Sequence, residues 1–187
     1  MSDSPGTKRM RARTRAQEVV SLIAWELEQE IISPADRSAL RRVRPGEVGG
    51  PSFWKIAIRH LEPAGLLADT DGPLRQWQEL YWSTILAAMA EGPPFGRRSL
   101  GRALAEAGVS EARVLRLFRA REDALLDTIR TAAHHLSAAG CEFDWSDMVE
   151  LTSSDGTPHA EAVRRRIAYD YYRQERDINH KTKEERK

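Results

Sequence analysis

Ser99-Leu-Gly-Arg-Ala-Leu-Ala-Glu-Ala-Gly-Val-Ser-Glu-Ala-Arg-Val-Leu-Arg-Leu-Phe-Arg-Ala-Arg121 writes two short helices around Gly108 and sorts its charges by face. From Ser110 onward, Val114, Leu115, Leu117 and Phe118 fall on one side of a 3.6-residue helix, and Arg113, Arg116 and Arg119 on the other. One side is built for a core and the other for a polyanion. Guanidiniums spaced i, i+3, i+6 repel one another and do not help an isolated helix; a phosphate backbone would offset that repulsion.

The same helical period extends in both directions. Val20, Ile23, Leu27 and Ile31 trace a stripe over residues 14–32. Ser33-Pro34 supplies an N-cap and first-turn proline for a short helix ending near Arg44, with Arg37, Arg41 and Arg44 beside its Leu40/Val43 face and Arg42 opposite. Pro45 to Pro51 reads as a flexible loop, followed by a helix carrying Phe53, Trp54, Ile56 and Leu61. Trp77, Tyr81, Ile85 and Ala88 mark a longer helix over 73–91, which stops at Gly92-Pro-Pro-Phe-Gly96. That punctuation predicts a boundary between an N-terminal lobe (14–91) and a C-terminal lobe (97–175). In the second lobe Leu125, Ile129, Ala133 and Leu136 form a stripe ending at Gly140; Asp144-Trp-Ser-Asp starts a short acidic helix; Thr157-Pro158 caps a last helix with Val163, Ile167 and Tyr171 inward. No strand-like alternation of any length appears, so the expected class is an all-α helical bundle in two small lobes. Residues 1–13 are expected to form a disordered basic arm and 176–187 a disordered tail.

Composition narrows the classes of function. The formal charge is only +1, yet among the 29 basic residues only Lys8, Lys55, Lys181, Lys183 and Lys187 are lysine. Arginine brings forked, permanently charged recognition of phosphate. The charge is also segregated: 97–121 carries seven arginines against Glu106 and Glu111, whereas 142–155 carries Glu142, Asp144, Asp147, Glu150 and Asp155 with no base. The lone Cys141 allows no intrachain disulfide, and no run of about 18 apolar residues exists to span a bilayer. A cytoplasmic protein that does not engage membranes is expected.

Catalytic and metal signatures are missing. His60, His134, His135, His159 and His180 fall in no ligand pattern, so surface or satisfied core histidines are expected. Asp144, Asp147 and Glu150 at i, i+3, i+6 are better explained by capping than by a divalent ion. Neither a cofactor nor a metal is expected, and the chain reads as a non-enzyme. Trp54 and Trp77 lie within apolar stripes and are expected in the core. Glu161 and Arg165, four apart, fit an intrahelical ion pair. A helix-turn-helix regulator is the alternative reading of 99–121, because Ala-Leu-Ala-x-Ala-Gly-Val-Ser mimics the first helix and turn of that motif. The presumed reading helix, however, offers no Asn or Gln and carries arginine along its length, which favours phosphate tracking over base readout.

Taken in order, Ala-Leu-Arg-Arg-Val-Arg (39–44), Phe53-Trp54, Ser-Leu-Gly-Arg-Ala-Leu-Ala (99–105), residues 110–121, Phe143-Asp144-Trp145 and Arg-Arg-Arg-Ile-Ala-x-Asp-Tyr-Tyr (164–172) resemble the CasB family, the small subunits of the type I-E CRISPR Cascade complex. The resemblance spans about residues 16–175. It implies a non-catalytic, two-lobed helical subunit, present as a pair with the other Cascade subunits, that lies along guide RNA and target strand and offers basic surface to the displaced strand of the R-loop. It places the nucleic-acid role on Arg41, Arg42, Arg102, Arg116, Arg119 and Arg121, then on Arg164, Arg165 and Arg166. Arg113, from the helical face, and Arg75, ahead of Trp77, complete the expected set. Glu122 and Asp123 interrupt the basic run directly after Arg121.

Overall fold

The computed structural model describes the backbone of residues 5–92 and 95–184, and it is all-α: among these residues the sole strand-like feature is an isolated bridge between Phe95 and Phe143. The chain divides into two compact units, Met1–Ala90 and Glu91–Lys187, the division falling at the end of the helix that precedes Gly92. No helix among the described residues is long and apolar enough to cross a membrane.

The first unit contains α1 (Pro5–Glu28), α2 (Pro34–Arg41), α3 (Pro51–Ile56) running on into a π-helical turn (Ala57–Leu61), and most of α4 (Pro73–Glu91). Val20, Ile23 and Leu27 of α1 pack in a core with Leu40, Phe53 and Leu61. Tyr81 through Ala90 of α4 are all buried, as a helix apolar on every side requires. Ser33 caps α2 by accepting from Asp36 N at 3.1 Å, and its hydroxyl donates back to the Asp36 carboxylate at 2.8 Å. The other Asp36 oxygen accepts from Ser52 Oγ (2.7 Å) and Lys55 Nζ (2.9 Å), joining α2 to α3. Those donors, Lys55 first, hold the Asp36 carboxyl down from its ordinary 3.8 to about 2. His60 is buried against Glu26, with 3.0 Å between Nε2 and the carboxylate, a satisfied core histidine.

Three expectations change here. Helical backbone runs back to Pro5, within the stretch for which the sequence predicts a disordered arm; residues 1–4 lie outside the described residues. The run is rich in Arg, Lys, Met and Ala, and propagating a helix already anchored by packing is far easier than nucleating one. The 45–51 connector is not loose throughout: Gly49 is buried and donates its N–H to Ser83 Oγ of α4 at 2.7 Å. Trp54 stays 36% exposed, and the buried indoles are instead Trp82 and Trp145.

The second unit contains α5 (Leu100–Glu106), α6 (Glu111–Arg119), α7 (Glu122–Ala138), α8 (Ser146–Ser153) and α9 (Pro158–Glu184). Leu125, Ile129, Ala133 and Leu136 of α7 are buried, as are Val163, Ile167 and Tyr171 of α9. Gly108 and Gly140 end their helices at φ +67° and +63°, in the left-handed region where glycine carries no Cβ penalty. The tightest contact is at Gly101, where a Cβ would stand 2.1 Å from Ile167 O and 2.9 Å from Tyr171 N, so α5 and α9 cross backbone to backbone. Tyr171 then donates its hydroxyl to Val109 O at 2.8 Å, pinning the α5–α6 turn. α9 continues to Glu184, which replaces the disordered tail expected from 176; residues 185–187 lie outside the described residues.

Gly101→Ala is expected to destabilise the chain by about 3 kcal/mol in urea unfolding, because the intruding atom meets backbone that cannot rotate aside; the gain of about 1 kcal/mol in helix propensity is outweighed. A stability change below 1 kcal/mol would contradict the close crossing. Asp36, whose folded pKa is depressed, contributes stability that is complete above its ordinary value and disappears as pH falls from about 4 toward 2. The gap in urea midpoint between the native chain and Asp36→Asn therefore closes across that window; a constant gap would assign Asp36 no electrostatic role.

Candidate nucleic-acid interface

Whether a surface arginine is free to meet phosphate depends on what already holds its guanidinium. Arg113, Arg116 and Arg119 of α6 are all exposed, and none has an ion pair or side-chain hydrogen bond among the described residues. Val114 and Leu117 on the opposite side are buried, so core packing aims the three arginines outward. From Arg113 to Arg119 the helix rises about 9 Å, against one charge per about 3.4 Å along a nucleic-acid strand. Exposed Arg165 of α9 is likewise without a partner among the described residues.

The remaining expected residues are held by the protein to different degrees. Arg75 is fully engaged: Nε donates to Glu79 at 2.6 Å, Nη1 to Ala68 O at 2.7 Å and Nη2 to Glu62 at 2.9 Å. These two carboxylates, Glu79 first, raise its pKa further, and the guanidinium clamps the loop before α4 to that helix. Arg164 is buried, its side chain 4% exposed, and donates to Asp155 (2.7 Å), Glu161 (3.0 Å) and Ala120 O (3.2 Å). Arg166 holds Asp147 at 2.6 Å and Glu150 at 3.1 Å. Arg121 folds back on Phe118 O and Ala120 O, and reaches Glu161 at 2.8 Å. The basic track on α6 therefore ends at Arg119. Arg102 shares Glu106 with Arg98, at 2.9 and 2.8 Å. Arg41 donates from Nε to Ala90 O (2.9 Å), as Arg37 does (3.0 Å), at the carbonyl end of α4, where the helix dipole favours cations. Arg42 donates to Ser38 Oγ at 2.9 Å, has no other side-chain partner among the described residues and stays exposed.

The acidic segment is consumed internally in the same way. Asp147 accepts from Leu100 N at 2.9 Å, capping α5 across the fold where Ser99 makes no side-chain cap. Burial pushes the Asp147 carboxyl up, opposed by that amide and by Arg166. Asp144 accepts from Ser146, and no cluster suited to a metal occurs among the described residues. Asp155 accepts from Arg164 and from Glu122 N (2.8 Å); although burial acts to raise its pKa, these donors bring it below the ordinary value. Glu161 thus serves Arg121 and Arg164, and the expected Glu161–Arg165 pair does not form.

Sequence reasoning placed Arg44 beside the Leu40/Val43 face without giving it a binding role and passed over Arg97 and Arg173; all three are exposed and without partners among the described residues. For Arg173 the signal was present: it lies eight residues after Arg165, with exposed Tyr169 midway on the same helical face.

The neighbours Arg164 and Arg165 give a direct test of this sorting. Arg164→Ala removes the buried guanidinium shared by Asp155, Glu161 and Ala120 O, leaving Asp155 with Glu122 N, and is expected to lose about 3 kcal/mol. Arg165→Ala should stay within about 0.5 kcal/mol of the native chain. Urea denaturation distinguishes the two, and equal effects would refute the assignment.

Comparison with known proteins agrees with this architecture. The family model described as CRISPR-associated protein Cse2 matches residues 36–172. A chain of a solved structure described as "CRISPR RNA-guided surveillance complex" is similar with a TM-score of 0.64 and 22% identity, over 91% of this chain and 99% of that one. At that identity the likeness bears on the fold. No curated protein matches.

Proposed function

The chain belongs to the CRISPR-associated Cse2 family, the CasB family of the sequence resemblance, and from that premise we propose that it is a non-catalytic small subunit of the type I-E Cascade surveillance complex. In this reading it works in the cytoplasm, beside other Cascade subunits and as a pair of copies. It binds the backbones of guide RNA, target strand and displaced strand, stabilising the R-loop without reading sequence. The observation that carries the proposal is the Arg113/Arg116/Arg119 face: three outward guanidiniums without partners among the described residues, in a unit whose other arginines are largely tied to carboxylates. Arg165 adds to this basic surface on the second unit, and Arg42 supplies it on the first.

R-loop opening exchanges one duplex for another of nearly equal stability, so a few phosphate contacts are enough to tip it. Arginines fixed on a packed helix make such contacts with less loss of freedom than a disordered arm would. Leu22, Trp25, Ile58 and Leu74 of the first unit remain exposed, apolar surface of the kind that seats neighbouring subunits. The competing helix-turn-helix regulator would place α6 in the major groove, where exposed arginine alone gives a poor sequence code.

The double variant Arg116→Glu/Arg119→Glu should fold normally and bind single strands more weakly. Its log–log salt dependence should be shallower by about 0.7 per lost phosphate contact, hence about 1.4 for the pair. An unchanged slope would overturn the proposal. A homodimer that prefers one duplex sequence over random DNA by roughly a thousandfold would establish the regulator instead.

A further inference from the structure

Beside the arginine face, α6 and α7 enclose a cleft of about 170 Å³. Its floor is apolar, formed by Leu104, Val109, Val114, Leu117 and Ala132. An apolar cavity of about 150 Å³ holds a benzene ring, so this volume admits one aromatic ring system. The two rims differ in hydrogen-bonding sense. On the α6 side stand Arg113 and Arg116, which can only donate. On the α7 side stand Asp127, Thr128 and Thr131. Both threonine hydroxyls already give their protons to backbone carbonyls, Leu125 O and Asp127 O, each at 2.9 Å, so they meet an occupant as acceptors. The Asp127 carboxylate is exposed, has no partner among the described residues and accepts only. His135 completes the lining; burial first, then Arg113 and His134, pull its pKa below the ordinary value, so at neutral pH it is an uncharged ring.

An occupant complementary to this cleft is flat and apolar in its body, anionic toward α6 and rich in N–H donors toward α7. We propose that the cleft receives one unstacked, amine-bearing nucleobase of the bound single strand, with its flanking phosphate on Arg113 and Arg116. This rests on the backbone-binding reading above, whose phosphate contacts stay indifferent to sequence, and adds a preference for one base at the single position seated in the cleft. Guanidinium planes and histidine rings are surfaces on which splayed bases stack, and a carboxylate accepts from the exocyclic amine of cytosine. Thymine presents a carbonyl oxygen at that position and would face Asp127 acceptor to acceptor.

Equal-length oligo(dC) and oligo(dT) carry the same phosphates and differ in that one edge, so their comparison on the full chain across a salt series separates the two readings. The expected result is roughly tenfold tighter binding of oligo(dC), with equal salt slopes for both. Asp127→Asn, an exposed substitution, should bring the two affinities together, since an amide also donates to thymine. Ala132→Leu, which fills the floor, should weaken oligo(dC) more than oligo(dT). Equal affinity in the native chain, or a preference that survives Asp127→Asn, overturns the base-in-cleft proposal and leaves backbone binding standing. Absence of salt-dependent binding to either strand overturns the backbone reading itself.

Discussion

The second unit depends on the absence of a side chain at Gly101. With a Cβ 2.1 Å from Ile167 O excluded, α5 and α9 approach backbone to backbone, and the neighbouring contacts fall into register around that point. Tyr171 reaches the Val109 carbonyl, Asp147 reaches the first amide of α5, and Arg166 reaches Asp147. The outcome for α6 is indirect but decisive: with the turn before it pinned and Val114 and Leu117 buried, its arginine face has nowhere to point but outward. A single glycine thus sets the direction of the arginine face.

The arginines of this chain divide into two populations by partner rather than by position. Arg75, Arg121, Arg164 and Arg166 join distant segments, each using its planar fork to satisfy carboxylates or carbonyls that would otherwise be left without a donor. Arg113, Arg116, Arg119 and Arg165 hold nothing among the described residues. Removal from the first group breaks ion pairs and hydrogen bonds that hold the fold, whereas removal from the second breaks none among the described residues. Such a division lets an almost neutral chain keep a locally cationic face, because its carboxylates are occupied elsewhere.

Much of the fold was legible in the residue pattern. The stripes of α7 and α9, the Ser33 cap and the glycine stops after α5 and α7 follow from helical period and backbone sterics, both local properties. The outward set on α6 was legible for the same reason. The extent of α1 and α9 was not, since a polar basic or mixed-charge run reads alike whether it is solvated coil or a helix continuing from a packed anchor. Trp54 shows the opposite error, an aromatic inside an apolar stripe that nonetheless lies at the edge of its core.

By itself, then, the sequence determined the helical class, the faces of each helix and the chemistry available on them, because these depend on residues three or four apart. Tertiary structure alone decided which guanidiniums remain available. Arg121 meets Glu161 across 40 positions and Arg164 meets Ala120 across 44, and no local spacing announces such pairs. Glu161 stood one helical turn before Arg165 and yet closed on Arg121 and Arg164, since the fold brought forked donors to it in fixed geometry while Arg165 stayed in water.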